Sequence, residues 1–356
     1  MVELKSLQIL RAVAAISVVY FHIGSGPYAP IPTPIATFGS FGVDIFFVIS
    51  GFVMAMVIAN GHSARSFAIS RLTRIVPLYW ILTTCLLLLA AAKPELLSST
   101  TANLLNYLKS LCFIPYFKEN GSLTPMLAVG WTLNYEMFFY LCVWISLLVV
   151  RRFYIQTTIS LIILCFVFAS IATQNAVVSS FFGNTQIFEF LFGLLLYKVY
   201  GLGQSSNHSP FIPMVIAIAA YIFMAYAEMS RFSDLKIVIY GIPSVALVYS
   251  LLHLENVLTD GNQKIVSTLT TIGDASYATY LSQFFVVEGV RRILHLKWNF
   301  IDPYSILGAA FIIMAALSVG HLLYKYIDKP ISSFLKREFL AVKQTRPLVS
   351  LHDSSG

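Results

Sequence analysis

Apolar runs of about 17 to 25 residues, each long enough for a helix to cross a bilayer, recur along this chain from residue 7 to residue 326. No stretch of ordinary soluble composition separates them, so lipid has to serve as the solvent for most of the fold. The runs fall near 7–25, 38–59, 75–92, 127–150 and 154–173, then near 183–200, 211–228, 237–254, 270–290 and 303–326. In hydrocarbon every backbone polar group needs an internal partner, and runs of this length meet that need as helices. The expectation is therefore an all-α, polytopic integral membrane protein with about ten transmembrane helices, forming one membrane domain over residues 1–335. Residues 336–356 read as a disordered cytoplasmic tail.

Composition agrees with this: 58% of the residues are hydrophobic and 11% charged, where soluble domains carry roughly a quarter charged residues. The first run follows Lys5 and could pass for a signal peptide, but Arg11 within it and the nine runs behind it argue against cleavage. A net charge of +7 would suit nucleic acid if it were concentrated in one patch, but the basic residues lie scattered between apolar runs, so no nucleic acid partner is expected. Topology explains them better. With both termini in the cytoplasm, the inner segments hold 14 lysines and arginines and the outer segments 8, and the positive-inside rule selects that orientation. The long segment 93–126 then lies outside, where "NLLNYLKSLCFIPYF" has helix-like amphipathic spacing suited to a lid. Cys85, Cys112, Cys142 and Cys165 show no disulfide or metal spacing and read as small core residues.

Ionisable residues inside the runs carry the functional signal, because each is expensive in hydrocarbon and normally faces a partner or a polar cavity. "RAVAAISVVYFH" puts Arg11 and His22 in one run. Eleven residues at about 100° each bring them within about 20° of one helix face, roughly 16 Å apart along the axis. Arg11 falls in the inner half and His22 near the outer end. Alone, Arg11 could snorkel to headgroups and His22 could be an interfacial histidine; their shared face favours one polar groove. Asp44, in "FGVDIFFVISGF", has a depth like that of His22 and could orient its imidazole, or form a packing ion pair. Arg71 and Arg74, three residues apart in "SRLTRIVPLYW", stand near the cytoplasmic start of their helix, where a phosphate or an anionic lipid would satisfy them. "GWTLNYEMFFYL" places Trp131 at the outer interface and Glu136 deeper, with His22, Arg291 or Arg292 as candidate partners. Glu189 and Glu288 also fall toward the outside. This asymmetry suggests an anionic donor entering from the cytoplasm and proton-transfer chemistry nearer the outer face.

These residues together resemble the integral-membrane acyltransferase-3 family of bacterial O-acyltransferases, over essentially the whole chain. Arg11 and His22 fit its first-helix motif, "FGVDIFFVISGF" is similar to its second-helix signature, "RLTRIVP" supplies its paired arginines, and "WTLNYEMFFY" resembles its Trp–Thr–Leu–Glu pattern. "DASYATYLSQFF" looks like its Ser-Tyr segment, with Gln283 where a histidine is frequent, and Asp328–Lys329–Pro330 stands for its closing Glu-x-Pro element. In size and opening sequence the chain looks most like the stand-alone exopolysaccharide acetyltransferases of that family, without a fused esterase-like domain. The resemblance implies acetyl-CoA or another acyl-CoA as co-substrate, with no permanently bound cofactor and no metal, and a saccharide acceptor, lipid-linked or polymeric. It also implies the bacterial inner membrane as location, with membrane lipids as further partners. On this reading His22 is the general base or a transient acyl carrier, Asp44 orients it, and Glu136 and Trp131 support the site. Arg71 and Arg74 bind the phosphates of CoA and Arg11 lines the path of its pantetheine arm. A transporter or flippase for a lipid-linked saccharide is the chief rival, and a structural subunit of a polysaccharide assembly complex a weaker third.

Overall fold

The computed structural model describes residues 4–24, 38–97, 100–171, 174–202, 209–232, 235–297 and 302–341, and among these every regular element is helical. The chain opens with α1 (Lys5–Gly24), α2 (Gly42–Ala59) and α3 (Ala64–Ala92), the last with Pro77 inside it. The segment expected to lie outside then contains a short helix, α4 (Leu104–Leu111), as its amphipathic spacing suggested. It is pinned to α3 by Trp80 Nε1, which donates to the Leu111 carbonyl at 2.9 Å. The following elements are α5 (Trp131–Val149), α6 (Tyr154–Ile171), α7 (Ala176–Phe182), α8 (Phe188–Leu202) and α9 (Phe211–Met229). α10 (Ile242–His253), α11 (Glu255–Asp260), α12 (Gln263–Asp274), α13 (Ser276–Lys297), α14 (Ile306–Leu323) and α15 (Lys329–Ala341) complete the fold.

Seven helices among the described residues are long and apolar enough to span a membrane, so the expected ten is not reached. The shortfall has local causes. The run at 183–200 yields only the 15 residues of α8, after a 3₁₀ turn at Thr185–Ile187. The run at 237–254 gives 17 residues, beginning with a π turn at Ile237–Gly241. The run at 270–290 breaks at Ala275 between α12 and α13, where Asp274 and Ser276 offer the backbone alternatives to helix. Beyond the break, α13 carries Glu288, Arg291, Arg292 and Lys297, too many charges for an apolar window. At the other end of the chain, the tail expected to be disordered from residue 336 is helical through Ala341. There α14, a π turn at Tyr324–Asp328 and α15 form one 36-residue helix. Residues 342–356 of that tail lie outside the described residues.

Burial sorts the helices. In α2, 72% of the apolar window is buried, against 17% in α9 and 22% in α6, so α2 is central while α9 and α6 present large apolar side chains outward, as lipid-facing helices do. Two of the three core clusters run through α2. In the first, Phe47 and Phe139 both stack on Phe190 of α8, with ring centroids 4.3 and 4.7 Å away. The other joins α2 and α1 to α8, α9 and α10.

α1 and α2 are held in register by unusual caps. The Glu255 carboxylate accepts from the Lys5 and Ser6 backbone N–H groups at 2.9 and 2.8 Å, satisfying donors that the start of α1 leaves open. Glu228 accepts from Gly39 N–H at 2.7 Å just before α2. Gly39 has φ +120°, which favours glycine, and a Cβ there would lie 2.1 Å from the Ser17 carbonyl of α1. Further along, α2 meets α8 at Gly51 and Gly193, where a Cβ on Gly51 would come within 2.0 Å of the Phe190 carbonyl oxygen. That backbone contact fixes the rotation of α2 and so decides which of its polar residues faces inward.

The cysteines depart from expectation. Cys142 is buried and Cys165 half-buried, but Cys85 and Cys112 are exposed, and all four are free. In an apolar run flanked by lipid, a small side chain such as that of Cys85 can face outward at little cost.

Candidate active site

A cavity of about 140 Å³ opens between α1, α2, α3, α5 and α13. Its lining runs from Val43 and Thr132, at the outer starts of α2 and α5 in the expected topology, to Met54 and Arg71 deeper in. Arg11, Arg71 and Arg74 all line it, and so does Glu136, so four of the residues singled out from sequence meet in one space.

The three arginines differ in their partners. Arg74 Nη1 reaches Asp328 at 3.3 Å, Nη2 donates to the Asp274 carbonyl at 3.5 Å, and the guanidinium stands 5.7 Å from the Tyr277 ring. The break between α12 and α13 thus supplies a helix-end carbonyl to an arginine, and the Asp-Lys-Pro element supplies its buried counterion. Arg71 keeps a buried Nε with no hydrogen-bond partner. Arg11 makes no hydrogen bond or ion pair among the described residues, and its nitrogens are not sealed in the core, so its charge faces the cavity. Glu136 and Asp274 act on that charge from a distance, and no group of the protein contacts it among the described residues.

Glu136 is bound by groups the sequence did not single out. Its Oε1 accepts from the Tyr140 hydroxyl at 2.5 Å and from Ser50 Oγ at 3.1 Å, and both donors line the cavity. Its expected partners are engaged elsewhere. Arg292 Nε pairs with Glu288 at 2.7 Å, Arg291 pairs with the same carboxylate, and Arg291 Nη1 also reaches the Ile23 carbonyl, next to His22, at 3.4 Å. Tyr140 could have been found from its i, i+4 spacing to Glu136 on one helix face. Ser50 had no such signal, since only the rotation of α2 reveals where it points. On the far wall, Tyr280 donates to the Val129 carbonyl and accepts from Thr132 Oγ1, both at 2.9 Å, while Tyr277 donates to the Ile75 carbonyl at 2.6 Å.

His22, Asp44 and Trp131 do not line the cavity. His22 is half-buried in the last turn of α1, with Nδ1 2.8 Å from the Val18 carbonyl. A carbonyl can only accept, so Nδ1 carries the proton and Nε2 is the basic nitrogen. The expected bond from His22 to Asp44 is replaced by this one: α1's own backbone sets the tautomer. Asp44, 3% exposed, accepts instead from Gln186 Nε2 at 3.3 Å and lies beside the buried Glu189. The rotation of α2 that turns Ser50 toward the cavity turns Asp44 toward the start of α8. Trp131 packs edge-on against Phe47 and Tyr135, with centroids at 6.4 and 5.9 Å, and supports the cavity wall from behind. Gln283, where the family resemblance leads one to expect a histidine, is fully buried with neither amide atom hydrogen-bonded.

On the side expected to face the cytoplasm, the turn between α2 and α3 gathers basic groups. His62 is held below its ordinary value by partial burial and then by Lys336 and Arg71. Arg151 Nη2 donates to the His62 carbonyl at 3.2 Å, and Arg65 Nη2 to that of Phe339 at 3.0 Å. α15 thus brings Lys336 to the same side as the arginine-lined cavity.

Comparison with known proteins matches this arrangement to a family. A family described as an acyltransferase domain matches residues 4–324. Among its relatives, the exopolysaccharide production protein ExoZ of Rhizobium meliloti is 28% identical over 307 residues, covering 83% of this chain and 90% of that protein. The acyltransferase MdmB of Streptomyces mycarofaciens is 24% identical, covering 94% of this chain and 93% of its own length. The peptidoglycan O-acetyltransferase OatA of Listeria monocytogenes is 25% identical over 92% of this chain but only 55% of itself. No solved structure matches. With the family match spanning nearly the whole chain and seven helices able to cross a membrane, this multi-pass membrane protein belongs to the acyltransferase-3 family.

Proposed function

We propose that this protein is an O-acyltransferase that moves an acyl group, acetyl foremost, from cytoplasmic acyl-CoA to a hydroxyl of a cell-surface or exported saccharide. The observation that carries the reading is the convergence of Arg11, Arg71 and Arg74 on one membrane cavity that also holds Glu136. Three guanidiniums line that cavity with one carboxylate, Glu136, while Asp328 pairs with Arg74 behind the wall and Asp274 acts on Arg11 without a direct contact, so the lining itself carries a positive excess. A phosphate-bearing donor fits that excess, with Arg71 and Arg74 taking phosphates at the inner mouth and Arg11 the arm that reaches deeper. The relatives named for exopolysaccharide production and peptidoglycan O-acetylation support a saccharide acceptor.

His22 serves as general base toward the outer face. Its tautomer, set by the Val18 carbonyl, presents a basic Nε2 to an acceptor hydroxyl, as a general base requires. The thioester supplies the leaving group. The test compares surface glycans from cells carrying the native protein, His22→Ala, or no copy, by mass spectrometry and by release of base-labile esters. Esters are expected with the native protein and not with the other two. Equal acylation in native and null cells would overturn the enzyme reading, and full acylation with His22→Ala would overturn the role of the histidine.

A further inference from the structure

The cavity contains a pairing that the reading above leaves unused. Ser50 Oγ lies 3.1 Å from Glu136 Oε1 and 3.1 Å from the Tyr140 hydroxyl, while the Tyr140 hydroxyl lies 2.5 Å from the same Glu136 oxygen. The carboxylate accepts both protons, so the serine's single proton points at Glu136 and its lone pairs are turned away from it. Ser50 is half-buried and lines the cavity together with the three arginines. A hydroxyl within hydrogen-bond reach of a carboxylate, the carboxylate being held by a second donor, is the geometry of a nucleophile with its base. The bland alternative is a serine that merely satisfies a buried acid. Tyr140 already satisfies that oxygen at the shorter distance, and a packing role gives no reason to open the serine to a cationic cavity.

We propose that Ser50 is the nucleophile that first takes the acyl group, with Glu136 as its base and Tyr140 positioning Glu136. This rests on the acyl-transfer reading above and deepens it into two half-reactions. In the first, Ser50 Oγ attacks the thioester carbonyl of the acyl-CoA as its proton passes to Glu136. The carbon–sulfur bond breaks, the thiolate leaves past the arginines, and it takes a proton from cytoplasmic water. In the second, the saccharide hydroxyl attacks the Ser50 ester as its proton passes, relayed by water from the cavity along the α1 face, to His22. The ester bond to Ser50 breaks, Ser50 Oγ recovers its proton from Glu136, and the imidazolium releases one to water outside. An ester on the central helix spares the donor from crossing the whole of the roughly 16 Å that separates Arg11 from His22 along α1.

The test incubates the purified full-length protein with radiolabelled acetyl-CoA and no saccharide, quenches in acid, and maps the label by peptide mass spectrometry. Native protein is expected to carry one acetyl group on the peptide holding Ser50, as an oxygen ester released by alkali. Ser50→Ala is expected to carry none and to lose transfer to saccharide by ~10²-fold or more. Ser50→Cys, which keeps the side-chain volume and controls for folding, is expected to carry the label as a thioester released by neutral hydroxylamine. His22→Ala should still label Ser50 and fail to pass the group on, whereas Glu136→Gln should not label. Native protein that turns over acetyl-CoA with no label at Ser50, or a Ser50→Ala protein that transfers at the native rate, overturns the proposal and leaves the acyltransferase reading standing. Native protein that consumes no acyl-CoA in membranes supplied with saccharide overturns the acyltransferase reading itself.

Discussion

Gly51→Ala tests how the fold positions its chemistry. The added Cβ would lie 2.0 Å from the Phe190 carbonyl oxygen and 2.9 Å from its carbon, so it falls short of the 3.4 Å at which ordinary contact begins by about 1.4 Å. The obstructing atoms are helix backbone, and Gly193 brings its own Cα and the α8 backbone equally close to α2, so no side chain can swing away. Overpacking of a core costs about 1–3 kcal/mol, and a clash between two rigid backbones belongs at the upper end. Separating α2 from α8 by about 1 Å also disturbs the 3.1 Å contact of Ser50 with Glu136, and a displacement of that size costs ~10²-fold in rate. The assay is thermal unfolding in detergent beside acyl transfer in membranes. Gly289→Ala serves as the control: nothing lies within 4 Å of its Cβ position on α13, and replacing a helical glycine there should be neutral or gain about 0.5–1 kcal/mol. Gly51→Ala is expected to melt several degrees below native and to lose most activity. If the two variants melt together, the α2–α8 contact does not position the site and the reasoning fails.

Two further outcomes concern charges. Lys118, in the outer segment, is 6% exposed and reaches Thr100 Oγ1 and the Met126 carbonyl at 3.3 and 3.1 Å, and burial holds its pKa down to about 8 despite Glu119 beside it. Below pH 8 both folded and unfolded chains carry the proton. Between about 8 and the unfolded value near 10.4 only the unfolded chain does, so stability of this segment rises with pH across that window, by up to about 3 kcal/mol. Proteolysis of the segment as a function of pH should show that slope in native protein and none in Lys118→Met. Asp328→Ala strands the Arg74 guanidinium and should cost about 3 kcal/mol, the low end for a buried pair because the Arg74 side chain is 29% exposed. Combining it with Arg74→Met should recover most of that loss in a denaturation assay, and a double variant no more stable than Asp328→Ala would refute the pairing.

The polar residues at membrane depth were the most legible part of the sequence. Arg11, Arg71, Arg74 and Glu136 are each costly in hydrocarbon, and among the described residues all four line the same cavity. Their partners were not legible, because periodicity gives faces within a helix but not the rotation of one helix against the next. Asp44 was paired with His22 by depth alone, and the Gly51 contact turns it to Gln186 instead. Ser50, six residues on, faces Glu136 for the same reason. Apolar length marks ten runs where seven helices among the described residues meet the length and composition of a span, since hydropathy does not register the π turn before α10 or the break at Ala275. That break hands a carbonyl to Arg74, so a feature lost to hydropathy helps to build the site.

The most direct measurement reconstitutes the protein in vesicles and supplies radiolabelled acetyl-CoA only on the face bearing His62 and α15, with saccharide only on the opposite face. The account predicts ester-linked label on the saccharide, dependent on Arg11, Arg71 and Arg74. Saccharide that crosses the membrane unmodified, or label that forms only when both substrates share a face, would contradict it.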